Sequence, residues 1–155
     1  MNEAPTHEIT ISRTFDAPPE LVYRAFVDPD QLCEWYGPAG FYVPCETVQI
    51  DARAGGFQRF VMTNVEDPSS RYQVDVTLSE VVENELLAGH QEVERIGGAG
   101  PASRTSLRLE FLGEANGKTR LELRQGPYPE EVGQDARKRW ESSFTSLDSL
   151  LRRSL

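Results

Sequence analysis

Apolar residues recur with a helical period at the C-terminal end of the chain. Trp140, Phe144, Leu147 and Leu151 step by four, three and four, and Leu150 widens the stripe. That spacing puts them on one helical face. Arg137, Lys138, Glu141, Ser142, Asp148 and Arg152 fill the remaining faces. Pro129, Glu130 and Glu131 suit the positive end of a helix, and Arg152 and Arg153 suit its negative end. The pattern predicts one long helix over 129–155, which cannot bury its stripe alone.

The earlier chain supplies the partner. Glu8 to Phe15 is β-prone, with Thr10 and Ser12 alternating against Ile9 and Ile11, and reads as a first strand. Asp16, then Ala17-Pro18-Pro19-Glu20, reads as a capping acid before a helix carrying Leu21, Val22, Ala25 and Phe26. Asp28-Pro29 ends that helix and starts another over 30–34, closed by Trp35-Tyr36-Gly37-Pro38. From Val43 onward the period becomes two. Strands are predicted at Val48–Ile50, Phe57–Val65, Tyr72–Ser79, Leu86–Val93, Thr105–Leu112 and Lys118–Gln125. Ala54-Gly55-Gly56 reads as a turn, Ile96–Ser103 as a flexible glycine-rich loop, and Asn116-Gly117 as a tight hairpin. Leu107, Leu109 and Phe111 are expected to face Leu121 and Leu123, with Arg108, Glu110, Arg120, Glu122 and Arg124 toward water.

Short turns between consecutive strands make the sheet antiparallel. The expected architecture is α+β: a curved antiparallel sheet of about six or seven strands around a long C-terminal helix, with two short helices after the first strand. Residues 1–7 are expected to be a flexible tail and 8–155 a single domain.

The order of Phe15-Asp16-Ala17-Pro18, Asp28-Pro29, Glu34-Trp35-Tyr36-Gly37-Pro38, Gly55-Gly56 and the Trp140 helix resembles the helix-grip superfamily, also called SRPBCC, START-like or Bet v-like. More narrowly it is similar to the family of the C-terminal domain of the Aha-type activator of heat-shock-protein ATPase. The resemblance covers about the whole chain. It implies a cavity between long helix and sheet, in which many members bind apolar or amphipathic molecules, while some are cyclases or related enzymes. The chain departs from the family pattern at Tyr36, where a second Trp is usual, and at Arg139, where Gly usually precedes the helix tryptophan. It departs again at Gln58, often aromatic, and near Gly89 and Gln91, where larger side chains are common. Inward-facing, these would make the cavity roomier and more polar. The eukaryotic activator's N-terminal domain has no counterpart here, which counts against a co-chaperone role.

Charge and chemistry narrow the functions. A formal net charge of -9 disfavours non-specific nucleic-acid binding, which needs clustered cations, and adhesion to anionic membranes. No apolar run approaches the ~18 residues of a membrane span, and Met1–Glu8 shows no signal peptide. A cytoplasmic protein is therefore expected. Cys33 and Cys45 are too few for a disulfide framework and are expected to be reduced, buried structural thiols. With His7 and His90 they make no metal or nucleophile signature. Gly97-Gly98-Ala99-Gly100 lacks the Lys-Ser/Thr of a phosphate loop. No catalytic residue, metal or cofactor is predicted.

The expected ligand-contacting wall is Trp35, Tyr36, Phe60, Met62, Tyr72, Val74, Trp140 and Phe144, each of which could instead simply fill the core. The leading function is non-enzymatic binding of a small apolar or amphipathic molecule. An enzyme of cyclase or hydrolase type would need an ionisable group in the cavity, drawn from Arg59, Asp75, Glu80 and His90. A protein-interaction role with a chaperone partner, or a homodimer through an edge strand, is a further alternative that no residue pattern supports directly.

Overall fold

The computed structural model describes residues 7–98 and 102–153. Strand β1, His7–Phe15, is followed by helices α1, Pro19–Val27, and α2, Pro29–Trp35. Seven further strands follow: β2 Phe41–Tyr42, β3 Gln49–Asp51, β4 Phe57–Asn64, β5 Arg71–Val82, β6 Leu86–Arg95, β7 Ser103–Gly113 and β8 Thr119–Tyr128. Helix α3, Glu130–Arg153, closes the chain.

All strand pairs are antiparallel, in the spatial order β1-β8-β7-β6-β5-β4-β2, and β3 pairs beside β2 on the free side of β4. The expected helix-grip α+β architecture is the observed one. The strand count rises to eight because Phe41–Tyr42 pairs with Thr63 and Asn64. A two-residue strand is too short to show an alternation. His7 pairs with Tyr128 and belongs to β1 rather than to a tail. The rest of the expected tail, 1–6, the loop tip at 99–101 and the helix end at 154–155 lie outside the described residues.

Local chemistry explains most boundaries. The Asp28 carboxylate accepts from the Asp30 amide at 3.0 Å and caps α2. Asp16 does not cap α1: Pro18 occupies the N-cap, with no side-chain cap. Pro19 at the first helical position already suits that start, since it removes one of the amides that a helix start leaves unpaired. Asn116 and Gly117 take φ of 67° and 72°, the left-handed region that the hairpin between β7 and β8 requires. Leu109 pairs with Leu123 and Phe111 with Leu121, as the alternation predicts.

The core lies where the C-terminal half of α3 meets α1, α2 and the sheet. Phe15, Leu32, Trp35, Phe144 and Leu147 are all essentially inaccessible there. Phe144 stacks edge-on against Phe15 at 5.8 Å between ring centroids. The Trp35 indole donates to the Ala25 carbonyl at 2.8 Å, tying α2 to α1.

The two cysteines overturn an expectation. Cys33 on α2 and Cys45, in the 3₁₀ turn Cys45–Thr47, are joined in a disulfide with Cα atoms 5.1 Å apart. The loop between them folds back on itself, with the Phe41 amide donating to the Pro38 carbonyl at 2.9 Å. Spacing alone could not reveal that return.

A cavity under the N-terminal half of the long helix

Along α3 the buried residues change in size. From Phe144 on the helix buries Phe144, Leu147, Leu150 and Leu151, whereas before it the buried residues are Gly133, Ala136 and Ser143 beside Trp140. Small side chains leave the sheet uncovered there. At Gly133 a Cβ would stand 3.4 Å from both Ile9 and Tyr128, so the helix start lies tightly against β1 and β8. On the other side, toward β4, β5 and β6, the wedge opens.

The opening is a cavity of about 410 Å³. Helix α3 contributes Val132, Ala136, Arg139, Trp140 and Ser143, which step by four, three, one and three around one helical face. The sheet contributes Met62, Tyr72, Gln91, Val93, Ser103, Gln125 and Tyr128. Tyr36 and Pro38, from the loop between α2 and β2, and Phe41 of β2 form the remaining wall. Ser142 Oγ accepts from the Ala39 amide at 2.9 Å and fastens that loop to the helix.

Of the eight residues expected to touch a ligand, Tyr36, Met62, Tyr72 and Trp140 border this cavity. Phe60 borders a separate void of about 10 Å³ deeper in the core, bounded also by Gln58. Tyr36, Gln91 and Trp140 border both spaces and form the partition between them. Trp35, Val74 and Phe144 line neither and pack in the core. Sequence reasoning missed Ala136 and Ser143, although they flank Trp140 at steps of four and three, whereas Arg139 and Gln91, singled out as departures from the family pattern, do border the cavity. It also missed Gln125, although that residue continues the inward parity of Leu121 and Leu123.

Polar atoms in the wall are held in a short relay. The Trp140 indole donates to Gln125 Oε1 at 2.7 Å, and Gln125 Nε2 donates to Thr105 Oγ1 at 3.0 Å. Thr105 also interacts with the Tyr128 side chain. Buried amides and hydroxyls need such partners. Gln58 Nε2 donates to the Phe26 carbonyl at 2.6 Å, so this departure from the family pattern anchors α1 to the sheet. Gly89 has the inward parity but does not enlarge the cavity, because a Cβ there would collide with the Thr77 carbonyl.

Burial pushes the Tyr36 phenol well above its ordinary value, with a further rise from Tyr128 and an opposing pull from the Arg139 cation. Burial raises Tyr128 too, against its Thr105 hydrogen bond and Arg139. The unfolded chain therefore loses these protons near pH 10 while the native state keeps them. The native state then binds more protons than the unfolded one, so stability falls as pH rises. The contribution is complete below about pH 10 and disappears through the higher native values. Urea unfolding at pH 9 and pH 11 is expected to show a loss that is shallower in Tyr36→Phe; equal losses would refute the assignment.

The other ionisable candidates lie elsewhere. Arg59 and Asp75 pair at 3.6 Å on the outer face, where both are open to solvent. Glu80 and His90 are exposed. Among the described residues, no group of three or more His, Cys, Asp or Glu side chains gathers in a way that could hold a metal ion. No helix among them is long and apolar enough to cross a membrane.

The family model described as "Activator of Hsp90 ATPase homolog 1-like protein" matches residues 16–152. The chain belongs to this activator of Hsp90 ATPase homolog 1-like family. Solved structures share its fold. A Chromobacterium violaceum protein is similar at a TM-score of 0.78 and 25% identity, covering 93% of this chain and 96% of that one. The AHSA1 protein of Silicibacter pomeroyi is similar at 0.78 and 23% identity, with 96% and 100% covered. A Nitrosomonas europaea protein is similar at 0.75 and 21% identity, with 99% and 98% covered. No curated protein matches the chain in sequence. The activator-like fold is compatible with ligand binding in a cavity. Among the departures from the family pattern, Tyr36, Gln91 and Arg139 meet at this one.

Proposed function

We propose that the domain binds a small amphipathic molecule in the cavity between α3 and the sheet, acting as a binding module rather than a catalyst. The observation that carries this reading is the cavity itself. Its volume of about 410 Å³ lies within the range of small-molecule sites, and aromatic and aliphatic side chains form much of its wall with a few fixed polar groups among them. Binding is favoured over catalysis because the candidate ionisable groups Arg59, Asp75, Glu80 and His90 are turned to solvent.

The test uses N-phenyl-1-naphthylamine, an uncharged probe that fluoresces when removed from water. Saturable one-site enhancement is expected with the native protein. Ala136 lines the cavity from α3, so Ala136→Phe should fill the space and weaken binding at least tenfold while the thermal midpoint stays near that of the parent. Absent enhancement, or equal binding by the folded variant, would refute the reading.

A further inference from the structure

The charge in the cavity wall is opposite to that of the protein. The chain carries 25 Asp and Glu against 16 Lys and Arg, for a formal net charge of -9. Among the described residues no carboxylate borders the cavity, and the charged side chain in its lining is Arg139. Among the described residues, no acidic side chain pairs with Arg139 either, whereas Arg152, near the end of the same helix, is paired with Asp148 at 3.0 Å. Arg139 lines the cavity together with the Tyr36 and Tyr128 side chains.

We propose that the cavity selects anionic amphipaths, with the apolar body among Met62, Tyr72, Val93 and Trp140 and a carboxylate or similar anionic head on Arg139. This rests on the binding reading above and adds the sign of the ligand's charge. A guanidinium offers a planar pair of donors that matches a carboxylate, and charge-assisted bonds of this kind are the stronger ones. The space holds roughly a dozen water volumes at ~30 Å³ each, which limits the ligand to about as many non-hydrogen atoms or somewhat more.

Competition against N-phenyl-1-naphthylamine separates the two levels of the claim. Decanoate, decan-1-ol and decylammonium share one chain and differ in head charge. Decanoate is expected to displace the probe about tenfold more effectively than decanol, with decylammonium weakest. Arg139→Met keeps the length of the stem and removes the charge. Arg139 is exposed, so the variant should fold, and with each competitor referred to that variant's own probe affinity it should treat decanoate and decanol alike. Equal displacement by decanoate and decanol in the parent would overturn the charge selection and leave the cavity reading intact. So would a decanoate preference that survives in Arg139→Met, or a preference for decylammonium. Failure of the uncharged probe itself to bind would overturn both.

Discussion

Phe144→Ala is expected to cost about 3–5 kcal/mol of unfolding free energy, the range for deleting a buried aromatic side chain. The side chain is 0% exposed. Its ring meets Phe15 edge-on at 5.8 Å, Trp140 at 5.5 Å and Trp35 at 6.4 Å. Three elements converge on it: β1, α2 and α3 itself. Removing the ring leaves a void that none of them can close, because each is fixed by the sheet or by its own hydrogen bonds. Single domains are stable by only about 5–15 kcal/mol, so the loss is a large share of the total. The thermal midpoint should fall by roughly 10 °C or more. Met62→Ala is the comparison. Met62 is partly buried and already borders open space, so its truncation should cost only about 1 kcal/mol. Urea unfolding of the two variants measures the difference. Similar losses would mean that Phe144 is a wall of the cavity rather than part of the core.

That contrast marks how far the sequence could be read. Period-two and period-3.6 patterns located seven of eight strands and all three helices, because alternation and helical stripes are local properties of the chain. Which aromatic faces a cavity and which faces another side chain is a different kind of fact. Phe144 and Trp140 are one turn apart on the same stripe, and only the sizes of their neighbours separate them. Around Phe144 the stripe meets α1, α2 and β1, whereas around Trp140 it is flanked by Ala136 and Ser143 and faces open space. Small residues on a helix carry no hydrophobic signal, so a search for aromatic and ionisable residues passes over them. Arg139 was singled out for its unexpected charge before Trp140, yet its place at the cavity depends on the sheet opening on that side of the helix. The disulfide was illegible for a related reason. Two cysteines 12 residues apart carry no pairing signal of their own. Their meeting depends on the turn after α2 and on the 3₁₀ segment, neither of which has a periodic pattern.

Opening the Cys33–Cys45 bond is expected to remove about 3 kcal/mol of stability. Cross-linking residues 12 apart restricts the unfolded chain, and a loop of that length accounts for about that much in the chain-entropy treatment. The effect should reach the cavity as well. The disulfide closes the segment that supplies Tyr36, Pro38 and Phe41 to the wall. With the bond open, that wall is fastened mainly by the Ala39–Ser142 hydrogen bond and the short β2 pairing. Reduction with a thiol, followed by urea unfolding and N-phenyl-1-naphthylamine titration, should show lower stability and weaker probe binding together. The Cys33→Ser, Cys45→Ser double variant should reproduce both without reductant. Loss of stability with unchanged probe affinity would show that the bond holds the fold and not the cavity wall. Alkylation of the protein taken directly from cells, before and after reduction, then reports whether the bond forms there. Disulfides persist in oxidising surroundings and are rare where thiol reductants are maintained. A pair found protected would count against the cytoplasmic address expected from the sequence. A pair found reduced would leave that address standing and make the wall of the cavity the part of the molecule that responds to oxidation.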